Sequence, residues 1–101
     1  MTNDGIMLAG YRLKGPYKDG TVWNEVPAVY VPLNGPVENP LDVGETENLK
    51  ERLANHERRP CWEKHATEGL YFAVRVEESE SERQKIERLI RGSYDLPCGE
   101  I

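Results

Sequence analysis

The chain is predicted to be an α+β domain, a small antiparallel sheet packed with helices. Three observations predict it: the apolar, β-branched run Ala28–Leu33, the alternating run Leu70–Val76, and helical periodicity after each of them. The order strand, strand, helix, short helix, strand, helix suits about three central strands plus an N-terminal hairpin. With 101 residues the sequence is one domain with a single modest core, divided into an N-terminal hairpin extension over 1–25 and a core over 26–99.

Residues 1–5 read as a loose terminus. Ile6, Leu8, Tyr11 and Leu13 give a first strand, Gly15-Pro16 and Asp19-Gly20 are turns, and Thr21-Val22-Trp23 is a short second strand closing a hairpin. Pro27 excludes a helix, and Ala28–Leu33 is a strand. Asn34-Gly35-Pro36 and Asn39-Pro40 form a loop, and Leu41–Val43 is the returning strand, which puts Tyr30 near Gly44. Glu45 or Thr46 caps the helix that follows. Arg58-Arg59-Pro60 breaks it, and Cys61–His65 is a short second helix with Trp62 turned inward. Leu70, Phe72, Val74 and Val76 alternate with polar or smaller residues, a strand buried on one face. Ser79 and Glu82 form a capping box. The last helix runs to about Arg91 with Ile86, Leu89 and Ile90 inside and Gly92 as its cap. The apolar tail Tyr94–Gly99 packs back onto the sheet.

Hydrophobic residues make up 38% and charged residues 31%, as in a soluble globular domain. No apolar run reaches the ~18 residues of a membrane helix and no signal pattern opens the chain, so a cytoplasmic protein with no membrane partner is expected. A monomer or weak homodimer is expected. Cys61 and Cys98 fit a reducing compartment and a place in the core, and a single disulfide between them stays open. The net charge of −5 argues against non-specific nucleic-acid binding. The basic residues nevertheless gather between Lys50 and Lys64, so Lys50, Arg58, Arg59 and Lys64 are the candidate nucleic-acid contacts.

The stretch Leu41–His56 carries the chemistry. A strand ending at Gly44 opens onto a helix whose apolar stripe is Leu49, Leu53 and His56, with Arg52 on its rim one turn before His56. A rim arginine beside a histidine suits a phosphate, which guanidinium grips bidentately, and equally suits an arginine packing its stem at an edge. Asp42 is either a ligand or a strand-end acid reaching the helix N-terminus. Glu87 is either a site carboxylate or the partner of Arg83 or Arg91. His56, Cys61, His65 and Cys98 are of types that suit Zn²⁺, though their spacings match no recurrent zinc pattern.

Taken together, Ala28-Val29-Tyr30, Leu41-Asp42-Val43-Gly44, the segment Gly44-x-Thr46-x-Asn48-Leu49-x-x-Arg52-Leu53-x-x-His56, Cys61-Trp62, Glu87 to Ile90 and the Pro97-Cys98 tail resemble the GIY-YIG nuclease superfamily over roughly residues 26–99. The resemblance implies a metal-dependent endonuclease acting on the phosphodiester bonds of DNA. It implies that Tyr30 helps activate the attacking water, that Gly44 keeps the turn open, that Arg52 stabilises charge on the phosphate, and that His56 stands near the site. Glu87 would hold a single Mg²⁺ or Mn²⁺, with Asp42 as an added ligand. Asp42 replaces the second tyrosine, Glu45 adds negative charge where a phosphate would sit, Gly99 replaces an expected Asn, and Glu87 is one residue out of register if Leu89-Ile90 is matched to the family's Leu-Ile. A GIY-YIG-like domain that has lost catalysis and binds nucleic acid or protein is the alternative.

Overall fold

The computed structural model describes residues 5–99; the terminal residues 1–4, expected to be loose, lie outside the described residues. The elements are β1 (Ile6–Leu8), β2 (Tyr11–Lys18), β3 (Ala28–Asn34), β4 (Gly44–Thr46), α1 (Leu49–Ala54), α2 (Arg59–His65), β5 (Leu70–Val76) and α3 (Glu80–Ser93). The five strands make one sheet in the order β1-β2-β5-β3-β4, with every pair antiparallel. The fold is the α+β class expected.

β3 organises the layers. Its residues alternate, so Ala28 and Tyr30 join Leu49, Leu53 and Trp62 beneath α1 and α2, whereas Val29, Val31 and Leu33 join Ile86 and Ile90 of α3 on the other face. Helices therefore cover both faces. This corrects the expectation that β5 is buried on one side only: Phe72 and Ala73 are both fully buried, on opposite faces. Pro32 is tolerated in a central strand because its carbonyl accepts from Leu41 N on the side where β4 has already ended, so the missing N–H breaks no ladder bond.

The N-terminal hairpin differs from its expected course. Ala9 and Gly10 both have positive φ, 52° and 86°, and this two-residue turn joins β1 directly to β2. β2 then pairs with β5, which makes the hairpin part of the sheet, and Thr21–Trp23 forms no strand. The returning strand begins at Gly44 instead of Leu41, with Tyr30 directly opposite Gly44 as anticipated.

Caps and helix faces also shift. Asn48, not Glu45 or Thr46, caps α1 by accepting from Glu51 N, and Thr46 Oγ1 accepts from Asn48 N one step earlier. Pro60 falls in the first turn of α2, where it starts the helix. Ser79 Oγ accepts from Glu82 N as expected. In α3, Leu89 is half-exposed and Gly92 lies inside the helix; the buried set is Arg83, Ile86 and Ile90. Arg83 is held there by Glu45 Oε1 at 2.8 Å and by the carbonyls of Glu77 and Glu78, each at 3.0 Å. The tail does pack back: Cys98 N donates to Leu41 O and Cys98 is bonded to Cys61. Among the described residues no helix is long and apolar enough to cross a membrane.

Candidate functional site

Three of the anticipated residues meet at the bend where β3 faces Gly44. Tyr30 is almost fully buried and its hydroxyl lies 2.7 Å from His56 Nε2. His56 Nδ1 sits 3.1 Å from Arg58 N. A backbone N–H can only donate, so Nδ1 is the lone-pair nitrogen, Nε2 carries the proton, and the Tyr30 oxygen accepts it. The Arg52 guanidinium, bonded to Glu57, is near enough to act electrostatically on the same hydroxyl. Burial pushes the phenol pKa above its ordinary value, and Arg52 and Arg58 oppose that rise. Gly44 makes the close approach of strand and phenol feasible, since a Cβ there would lie 2.3 Å from the Tyr30 oxygen.

Burial, with the nearby Arg52 and Arg58, holds the His56 pKa down at about 4. The unfolded chain takes a proton at this position below about pH 6.5, while the folded chain stays neutral there to about pH 4. Between those values the unfolded state binds more protons, so stability falls as pH falls. We expect a loss of about 2 kcal/mol between pH 7 and pH 5 from this group. Arg52 lowers the Glu57 carboxyl to about 2, and its contribution is lost only below its ordinary value of 4.5, outside that window. Urea unfolding of the wild type and of His56→Gln at both pH values checks this; an unchanged pH dependence in the variant would contradict it.

Asp42 is the correction. Anticipated as a metal ligand, it is fully buried with both oxygens occupied. Oδ2 accepts from Arg58 Nε at 2.6 Å and Trp62 Nε1 at 2.8 Å; Oδ1 accepts from its neighbour Val43 N at 2.8 Å and Arg58 Nη2 at 3.3 Å. A Mg²⁺ ion needs carboxylate oxygens it can approach, and Asp42 offers none without breaking this set. It does not fit the ion. The side chain does not reach the N-cap of α1 either, which Asn48 supplies.

Glu87 stands on α3, across the sheet from Tyr30. Its Oε2 pairs with Arg91 at 3.0 Å, and Arg91 also donates to Val43 O at 2.8 Å. Glu87 is therefore tied to the residue next to Gly44 through Arg91, and among the bonds of the described residues it has none to Tyr30, Arg52 or His56. Of the basic cluster, Lys50 and Lys64 are exposed. Arg58 is committed to Asp42. Arg59 pairs with Asp19 and Glu63 and lies over the Trp62 ring.

Two participants escaped the sequence reading. Glu57 grips Arg52 with both oxygens, at 2.8 and 2.9 Å, five residues away, a spacing outside the i,i+4 rule because α1 has ended. Trp62, expected only to pack inward, also donates to Asp42. Comparison of the chain with protein-family models, with curated proteins and with solved structures finds no match.

Proposed function

We propose that the chain is a diverged GIY-YIG-like domain that takes a phosphodiester group of nucleic acid at the Tyr30–His56–Arg52 corner and hydrolyses it. The observation that carries this reading is the buried phenol with its oxygen 2.7 Å from the protonated imidazole nitrogen and Arg52 alongside. The phenolate is the form that can accept a proton from an attacking water; burial raises the phenol pKa, and the positive charge of Arg52 and Arg58 offsets part of that rise. Arg52, a third exposed at its side chain, leaves the exposed Glu57 carboxylate for the phosphate, since surface ion pairs exchange readily. His56 keeps the phenol oriented and stays neutral through the physiological range. A Mg²⁺ or Mn²⁺ ion at this corner would add positive charge against the phosphate oxygens, but neither Asp42, held by Arg58 and Trp62, nor Glu87, across the sheet and paired with Arg91, fits as its ligand there.

The test is cleavage of plasmid and single-stranded DNA with Mg²⁺ or Mn²⁺. Wild type nicks the DNA, and the rate rises up to about tenfold per pH unit from pH 7 to 9 as the phenolate fraction grows. Tyr30→Phe loses about 10²–10⁴-fold and Arg52→Ala about 10²–10³-fold. Failure to cleave any substrate with either metal overturns hydrolysis.

One observation favours a second reading, a nucleic-acid-binding module without turnover: each anticipated metal carboxylate already has an arginine partner, Asp42 with Arg58 and Glu87 with Arg91. On that reading Arg52→Ala weakens DNA binding in a gel-shift assay while neither protein cleaves.

A further inference from the structure

Away from that corner, three soft donors converge where the C-terminal tail meets α2. Cys61 Sγ, Cys98 Sγ and one His65 ring nitrogen all lie within 4.8 Å of one another. Cys61 and His65 are four residues apart on one face of α2, and Cys98 is delivered by the tail, whose backbone is fixed by the bond from Cys98 N to Leu41 O. The sulfurs are joined as a disulfide. A disulfide needs no third partner, yet His65 Nδ1 stands 3.6 Å from Cys61 Sγ and 3.8 Å from Cys98 Sγ.

We propose that the dithiol form of this protein binds one Zn²⁺ through Cys61 Sγ, Cys98 Sγ and His65 Nδ1. Tetrahedral zinc with Zn–S of about 2.3 Å and Zn–N of about 2.0–2.1 Å places a sulfur and a nitrogen ligand about 3.6 Å apart. The sulfur–nitrogen edges, 3.6 and 3.8 Å, already lie close to that length. Only the sulfur–sulfur edge must open, to about 3.8 Å by the same geometry. Reduction opens it: a dithiol reductant gives two electrons and two protons, the S–S bond breaks, and two thiols form. Zinc then displaces both thiol protons. His65 Nδ1 now lies 3.1 Å from Cys61 O as an N–H donor, and the metal takes its place there while the ring proton moves to Nε2. Cys61 and His65 are half-exposed, so water completes the fourth position. Thiolate and imidazole select zinc over the hard Mg²⁺ of the phosphate chemistry. The disulfide and the zinc ion are two ways of tying the tail to α2.

The experiment uses the full chain, reduced with a dithiol under anaerobic conditions, stripped with a chelator and titrated with Co²⁺ as a spectroscopic probe and then with Zn²⁺. One equivalent of Co²⁺ is expected to give a near-ultraviolet thiolate charge-transfer band that Zn²⁺ abolishes. The oxidised protein gives no band. His65→Gln, at a half-exposed helix end, keeps the fold and weakens binding at least as much as losing an outer-shell partner does, about 10–100-fold. Cys98→Ser loses the thiolate pair and its band falls. Absence of the band in the reduced wild type overturns the site, and so does a titration unchanged in His65→Gln.

Discussion

Asp42→Ala is expected to lose about 3–5 kcal/mol of stability, the range for removing one partner of a buried ion pair. The cost arises on the surviving side. Arg58 Nε and Nη2, Trp62 Nε1 and Val43 N all donate to this carboxylate, in a place from which water is excluded. Deleting it leaves a partly buried guanidinium with only the looser, exposed Glu57 carboxylate at 3.9 Å and a fully buried indole N–H without an acceptor. Asp42→Asn keeps the shape and one carbonyl acceptor, so it falls between wild type and Ala. Arg58→Met separates the terms, because it removes the cation and leaves the carboxylate with the Trp62 and Val43 donors. Urea midpoints for the three variants check the order; an Asp42→Ala protein as stable as wild type would mean that the buried carboxylate holds nothing together.

Gly44→Ala is expected to cost about 3 kcal/mol, the upper part of the usual overpacking range. The added Cβ would lie 2.3 Å from the Tyr30 oxygen and 2.4 Å from the ring carbon bearing it. The ring cannot swing away cheaply, since it packs against Trp62 and His56 and its hydroxyl is bonded to His56. Tyr30→Phe relieves the oxygen clash but not the ring-carbon clash, so Gly44→Ala remains costly in that background. Tyr30→Ala removes the ring, and there the cost of Gly44→Ala drops, giving a coupling above about 1 kcal/mol in a double-mutant cycle. Simple additivity of the two changes would show that strand and phenol do not meet as described.

Much of the fold was legible because its signals are local. Ala28–Leu33 and Leu70–Val76 announce strands through β-branched and alternating residues, Ser79 announces a helix start, and Leu49 and Leu53 mark the buried stripe of α1. All of these depend on chain periodicity, which any window of sequence carries. The hairpin at Ala9-Gly10 was missed because Ala at positive φ carries no turn signature, while Gly15-Pro16 and Asp19-Gly20 carry strong ones. Leu89 was misplaced because periodicity cannot foresee that Arg83 would be carried inward by an ion pair with Glu45, 38 residues away.

The candidate site divides in the same way. The sequence by itself determined that Tyr30 would face Gly44 and that Trp62 would be inside, because each follows from residue spacing within or between neighbouring elements; the helix expected to carry Arg52 and His56 together ends at Ala54, so His56 follows it from the loop. Only the tertiary structure decided that Asp42 belongs to Arg58 and Trp62, that Glu87 reaches the bend through Arg91, and that His65 stands between Cys61 and Cys98. The physical reason is that a buried charge or thiol takes its character from whichever groups the whole fold brings within a few ångströms, and those partners are not neighbours along the chain.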